Sequence, residues 1–286
     1  MSGINFYHGA RDLLIQIMLS IDSSPISRNG KILILAYDHG LEHGPVDFID
    51  LPKTIDPKFI FDLACHKAVT ALAVQKGLAE AYFPSYKNDV NLLAKVNGTS
   101  NLWTGEPNSS INWSVDNAIE LGASAIGFTL YGGSNHEVEM AEEFRVVQEQ
   151  SRSHGVPIVM WSYPRGQGIQ EKFNGDDTSD EVIAYAARLA LELGADVAKI
   201  KYPGSKAAME WAVKSAGPVK VVLSGGSKVD DLTFLKSVQA VMDAGGSGLA
   251  VGRNVWQREN SIEMLDALGR IVHEGESAQD ALSSLQ

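Results

Sequence analysis

Short runs of consecutive apolar residues recur along the chain, at Ile32–Tyr37, Val69–Gln75, Leu92–Val96, Ala123–Leu130, Pro157–Tyr163, Ala195–Lys201, Val219–Ser224 and Gly248–Gly252. They carry little polar alternation, which suits parallel strands covered on both faces. Between them lie segments in which apolar residues return every three or four positions: Pro57–His66, Val115–Leu121, Glu137–Ser153, Asp180–Leu193, Ser205–Ala216 and Val229–Ala244. That spacing predicts helices with one buried face. Leu78–Asn91 fits worst, because Pro84 interrupts it and limits any helix there to a short one.

Two pieces, AIELGASAIG and ALELGADVAK, share a design in which a helix ends at Leu-Gly-Ala and feeds straight into a strand, and VMDAGGSGLAVG is a third variant. Glycine at such a stop takes the left-handed conformation without a steric penalty. Strand and helix alternate eight times with no break in composition that would mark a linker. The pattern predicts one α/β domain, a (β/α)8 TIM barrel over residues 30–286, with an open doubly wound sheet as its rival. Residues 1–29 form an N-terminal extension, expected to hold a lead-in amphipathic helix.

The chain has 286 residues, of which 44% are hydrophobic and 21% charged, enough for one large core. Its net charge of -11 disfavours a phosphate backbone as partner, so nucleic acid is not expected. Any anionic substrate must be held by locally focused basic groups. A single cysteine, Cys65, leaves no intramolecular disulfide and no multi-cysteine metal site. No apolar run reaches the roughly 18 residues of a membrane span. The N-terminal apolar stretch is broken by Gln16 and lacks a basic n-region, so a cytoplasmic protein without membrane contact is expected.

In a barrel the chemistry sits where strands end. The first strand runs out into Asp38-His39-Gly40-Leu41-Glu42-His43-Gly44-Pro45, a density of ionisable groups that is costly unless they face a working cavity. Asp38 is suited to orient a base, hold a hydroxyl or accept from a lysine, against the plainer reading of a helix cap or turn network. His39 and His43 have helical spacing for a metal, yet the glycines around them point to a loop, and no companion ligand cluster is present. No metal and no cofactor are expected. On the fifth strand, period two puts Val159, Trp161 and Tyr163 on one face, with Arg165 on the loop beyond. On the sixth, Val197, Lys199 and Lys201 share a face, with the two lysines about 7 Å apart. Apolar burial and mutual repulsion would depress a lysine there, giving a nucleophilic amine; structural ion pairing is the alternative. Glycines follow the seventh and eighth strands, at Ser224-Gly225-Gly226 and Gly252-Arg253, where barrels commonly bind phosphate.

The strings ILAYDHGLEHGP, WSYPRG, AYAARLALELGADVAKIKY, LSGG and GLAVGRNVWQR resemble the archaeal-type class I fructose-bisphosphate aldolases, from about Lys31 to about Glu274. The resemblance implies the same barrel and a metal-independent, reversible cleavage of fructose 1,6-bisphosphate to glycerone phosphate and glyceraldehyde 3-phosphate. It implies that Lys199 forms the Schiff base, that Tyr163 transfers protons and that Trp161 lines the substrate. Asp38, His39 and His43 fall on substrate-contacting positions, and Ser224, Gly225, Gly226, Gly252 and Arg253 on phosphate-binding loops. Large homo-oligomers built from pentameric rings, up to a decamer, are implied as well. The segment from Gln167 to Asp177 is longer than in compact members, and residues 1–29 match poorly.

The expected reaction starts with attack of neutral Lys199 on the C2 carbonyl, Tyr163 and Asp38 moving the protons. The glycine loops would take the C1 phosphate; Arg165, Lys201 and His43 are unranked candidates for the C6 phosphate. Three other readings compete. The first is a related transaldolase-like synthase or thiolase using the same lysine. The second is a barrel isomerase or decarboxylase in which Lys199 acts only as a charge. The third is a sugar-phosphate-binding barrel without turnover.

Overall fold

The computed structural model describes residues 20–285. Eight parallel strands close on one another in chain order: β1 (Ile32–Ala36), β2 (Ala71–Gln75), β3 (Leu92–Lys95), β4 (Ala123–Leu130), β5 (Ile158–Ser162), β6 (Val197–Ile200), β7 (Lys220–Ser224) and β8 (Gly248–Val251). The barrel is sealed by β1 against β8, with Ile34 opposite Ala250. The open doubly wound sheet is thereby excluded. Each strand lies where an apolar run predicted it, shorter by up to two residues at an end.

The outer layer consists of α1 (Pro57–Ala64), α2 (Lys76–Tyr82), α3 (Val115–Leu121), α4 (Glu137–Ser153), α5 (Asp180–Leu193), α6 (Lys206–Ser215), α7 (Asp231–Asp243) and α8 (Ser261–Gly269). Side chains of Ser114, Ser205 and Asp230 accept from backbone N–H groups one turn on, so α3, α6 and α7 start where a capping residue allows. Gly122 and Gly194 end α3 and α5 in the left-handed conformation, as the Leu-Gly-Ala pieces predicted. In the third piece Ala244 follows α7 and the left-handed residue is Gly245, one position later. Helix α2 starts directly after β2 and gives way to a 3-10 turn at Phe83–Ser85, where Pro84 cannot continue it. Most of the expected lead-in helix lies outside the described residues, of which Ser20–Ser23 are helical.

Period two divides the core. Leu33, Leu35, Ile126, Met160 and Ala198 pack outward against the helices. Ile32, Ile34, Leu93, Val159, Trp161, Val197 and Val222 fill the barrel, with Tyr163 against them. The inward set starts apolar at the bottom and turns polar at the strands' C-terminal ends, where Lys95 and Lys199 continue the rows of Leu93 and Val197. No helix among the described residues is long and apolar enough to cross a membrane.

Candidate active site

Lys199 stands beside Trp161 in the β5–β6 register, and both point inward. Its side chain is about one-twentieth exposed. The amine lies 4.5 Å from the Trp161 ring centroid and 5.9 Å from that of Tyr163. Among the described residues nothing hydrogen-bonds or ion-pairs with it. Burial pushes the Lys199 amine below its ordinary range; Asp38 and Glu42 pull it back, and Arg253 adds to the lowering.

Asp38 follows β1 and is buried. Burial works against its charge, but Lys199, His39 and Lys95 together outweigh that and hold its carboxyl below the usual range. Its Oδ2 is buried and has no partner. The ring Nδ1 of His39 sits 3.5 Å from the other oxygen, itself without a hydrogen bond. Burial drives His39 down to about 4, so its imidazole is neutral at neutral pH. His39–Glu42 forms a single helical turn where the glycines suggested a plain loop. The spacing of four brings the His39 and His43 rings to 5.0 Å, and His43 Nδ1 meets Asp47 Oδ2 at 2.7 Å.

Across the mouth, the Tyr163 hydroxyl and Ser224 Oγ are 2.8 Å apart. Burial raises the phenol far above its ordinary range, and the nearby Asp38 and Glu42 charges reinforce this. The turn after β7 leaves the backbone N–H groups of Gly226, Ser227 and Lys228 without partners among the described residues. Beside it Arg253 reaches Asp47 at 3.8 Å while its Nε is buried and unpaired. A cavity of about 220 Å³ has Glu42, His43, Tyr131 and Arg165 in its lining. The Arg165 guanidinium lies 5.3 Å from the Tyr131 ring centroid.

Lys201 lies just past β6 and ion-pairs with Asp177, so the long segment before α5 closes onto the barrel rim there. Of the two grounds for a depressed lysine, burial holds and repulsion between Lys199 and Lys201 does not. Lys199 is lowered chiefly by burial, with Arg253 as the opposing cation, while Lys201 already has a counter-charge.

The arrangement thus joins an unpaired buried amine, an unpaired carboxylate oxygen, a phenol and two glycine turns. Residues 32–258 match the model of the DeoC/LacD family aldolases. The chain belongs to that family. Among its relatives, the class 1 fructose-bisphosphate aldolase of Halobacterium salinarum is 63% identical over 94% of this chain and 100% of its own. That of Thermoproteus tenax is 46% identical over 90% of this chain and 95% of its own. A solved archaeal fructose 1,6-bisphosphate aldolase is 45% identical, covers 91% of this chain and 100% of its own, and superposes with a TM-score of 0.85. Another, solved with its catalytic lysine covalently bound to the carbinolamine intermediate of the substrate, is 44% identical over 90% of this chain and 99% of its own, at a TM-score of 0.84.

This aldolase-family site contains members that the sequence reading missed. Lys95, the last residue of β3, is fully buried; its amine donates to Asn97 O at 2.7 Å, Asn97 Oδ1 at 3.2 Å and Glu42 Oε1 at 3.2 Å. It lies 5.5 Å from the Trp161 ring centroid, so two lysines share one indole. The signal was available, since period two in Leu92–Val96 turns Lys95 inward by the argument that singled out Lys199. Burial pushes the Glu42 carboxyl up, and Lys95 opposes the shift. Glu42 could be placed only once the helical turn at His39–Glu42 was known.

Proposed function

We propose that the protein is a class I, Schiff-base-forming fructose-1,6-bisphosphate aldolase that needs no metal and cleaves its substrate reversibly to glycerone phosphate and glyceraldehyde 3-phosphate. The observation that carries this reading is the state of Lys199: buried, depressed, and free of any hydrogen-bond partner among the described residues. A lysine kept that way is a nucleophile, whereas the amine of the nearby Lys95 already donates to three acceptors. A solved Schiff-base-forming fructose-1,6-bisphosphate aldolase, 44% identical to this chain, and the archaeal carbinolamine-bound aldolase support the same chemistry.

The neutral amine adds to the C2 carbonyl of the open-chain ketose, and Asp38 relays the amine proton. Tyr163, whose phenol is held protonated, gives its proton to the carbinolamine hydroxyl, which leaves as water. The resulting phenolate is a strong base. It takes the C4 hydroxyl proton while the C3–C4 bond breaks, the aldehyde departs, and the electron pair moves into the iminium to give an enamine. The re-formed phenol protonates C3, and water hydrolyses the iminium to free Lys199 and glycerone phosphate.

In this reading Ser224, Gly225, Gly226, Gly252 and Arg253 hold the C1 phosphate, for which the unpaired N–H groups and Arg253 Nε supply donors. Arg165, which has no carboxylate partner among the described residues, takes the C6 phosphate with His43 lining the same cavity; His43 and Lys201 each already face a carboxylate, Asp47 and Asp177. His39 and Trp161 shape the wall around the amine. The N-terminal extension, the cytoplasmic location and a homo-oligomer of pentameric rings belong to the same reading and rest on the sequence and its resemblance.

Borohydride trapping with glycerone phosphate, with and without EDTA, tests it, followed by peptide mapping of the reduced adduct. An adduct on Lys199 that survives chelation is expected. Trapping on Lys95 or Lys201 instead, or none at all, overturns the assignment.

A further inference from the structure

The turn after β7 and the turn after β8 are joined through one side chain. Asn254 is fully buried, and its amide Nδ2 donates to Gly225 O at 2.6 Å and to Ser227 O at 2.9 Å. Its Oδ1 accepts from Val229 N at 3.0 Å and from Arg258 Nη2 at 3.3 Å. Both donors and both lone pairs of the carboxamide are used, so its orientation is fixed. Arg258, itself buried, donates from Nε to Asn254 O at 2.7 Å and from Nη2 to Val229 O at 2.7 Å, and pairs with Asp231 at the start of α7.

In a trans peptide the C=O and the following N–H point in opposite directions. Drawing the carbonyls of Gly225 and Ser227 onto Asn254 therefore turns the N–H groups of Gly226 and Lys228 away from it. Those N–H groups have no partner among the described residues. The turn they belong to begins at Ser224, whose hydroxyl meets Tyr163 in the barrel mouth. Asn254 directly follows Arg253, so one carboxamide fixes the spacing between both halves of the cradle.

We propose that Asn254, braced by Arg258, is a positioning residue that orients the backbone donors for the donor substrate's phosphate; this rests on the phosphate reading given above. Asparagine is required because the site needs two donors and two acceptors on one planar group. Aspartate would offer no donor and would face two carbonyl oxygens with a negative charge.

The test compares two donors that differ only in the phosphate, glycerone phosphate and dihydroxyacetone, by borohydride trapping on Lys199 over a concentration series. In Asn254→Asp and Asn254→Ala the half-saturating glycerone phosphate concentration is expected to rise roughly 10-fold or more, the loss that goes with charge-assisted hydrogen bonds. Dihydroxyacetone trapping should stay unchanged. Arg258→Lys, a milder change, should shift the same ratio in the same direction by less, and keeps the test available if the Asn254 variants do not fold. Equal weakening of both donors would reduce Asn254 to a structural residue, and no change in either would remove the role altogether. Equal half-saturation by the two donors in the unaltered enzyme would take away the phosphate cradle, and the proposal with it.

Discussion

The indole of Trp161 rests against the backbone of Gly127 on the neighbouring strand β4: a Cβ at Gly127 would fall 2.8 Å from Trp161 Cζ3 and 2.6 Å from Leu93 Cδ2. A missing side chain on one strand thus makes the seat for the largest side chain of the next. That seat holds the ring against which both the Lys199 and Lys95 amines lie.

Gly127→Ala should therefore displace the indole while the strand stays paired. Overpacking of this kind costs about 1–3 kcal/mol of stability. Schiff-base trapping at Lys199 should slow more than the fold suffers, because the amine loses its apolar neighbour and gains water. Trapping rates alongside thermal melting check this; unchanged trapping would mean that the ring does not tune the lysine.

Lys199→Met should abolish trapping and turnover and yet raise stability at neutral pH. The folded-state pKa of Lys199 lies below its unfolded value, so the unfolded chain binds the extra proton. Its burial as a cation penalises folding fully below the folded pKa, and the penalty fades as pH rises toward 10.5. Methionine removes it at every pH. Melting curves at neutral and alkaline pH should show the variant's advantage shrinking as pH rises, and an advantage that grew with pH would contradict the depressed lysine.

Much of the fold was legible because every strand is covered on both faces, so its apolar run marks it without ambiguity. Period two at strand ends, where geometry is set by the sheet, turned Trp161, Tyr163 and both Lys199 and Lys201 inward, and the choice between the lysines came from the family resemblance. Glu42 and Asp177 escaped because their positions depend on how loops close, here a helical turn at His39–Glu42 and a segment folding onto Lys201. Asn254 escaped for a related reason: its partners lie 27 to 29 residues away, on a different loop. Residues proposed to touch substrate were easier to find than residues that hold other loops in place.

The pH profile of trapping should rise with pH through the Lys199 pKa, at a midpoint below 10.5, because only the neutral amine attacks. Asp38 favours the ammonium form, so Asp38→Asn should move the midpoint to still lower pH even as proton relay is lost. A midpoint moving upward would mean that Asp38 does not face the amine as a charge.

The two other lysines at the barrel mouth should respond to removal to very different degrees. Lys95 is fully buried against Glu42 and Asn97, so Lys95→Met leaves the mostly buried Glu42 carboxyl without its partner and should cost about 3–5 kcal/mol. Lys201 and Asp177 are each more than a quarter exposed, where water and salt screen the pair, and Lys201→Met should cost about 0–1 kcal/mol. Urea unfolding of the two variants separates them, and trapping on Lys199 should survive in Lys201→Met. A large loss in Lys201→Met would show instead that the rim pair holds the segment before α5 in place.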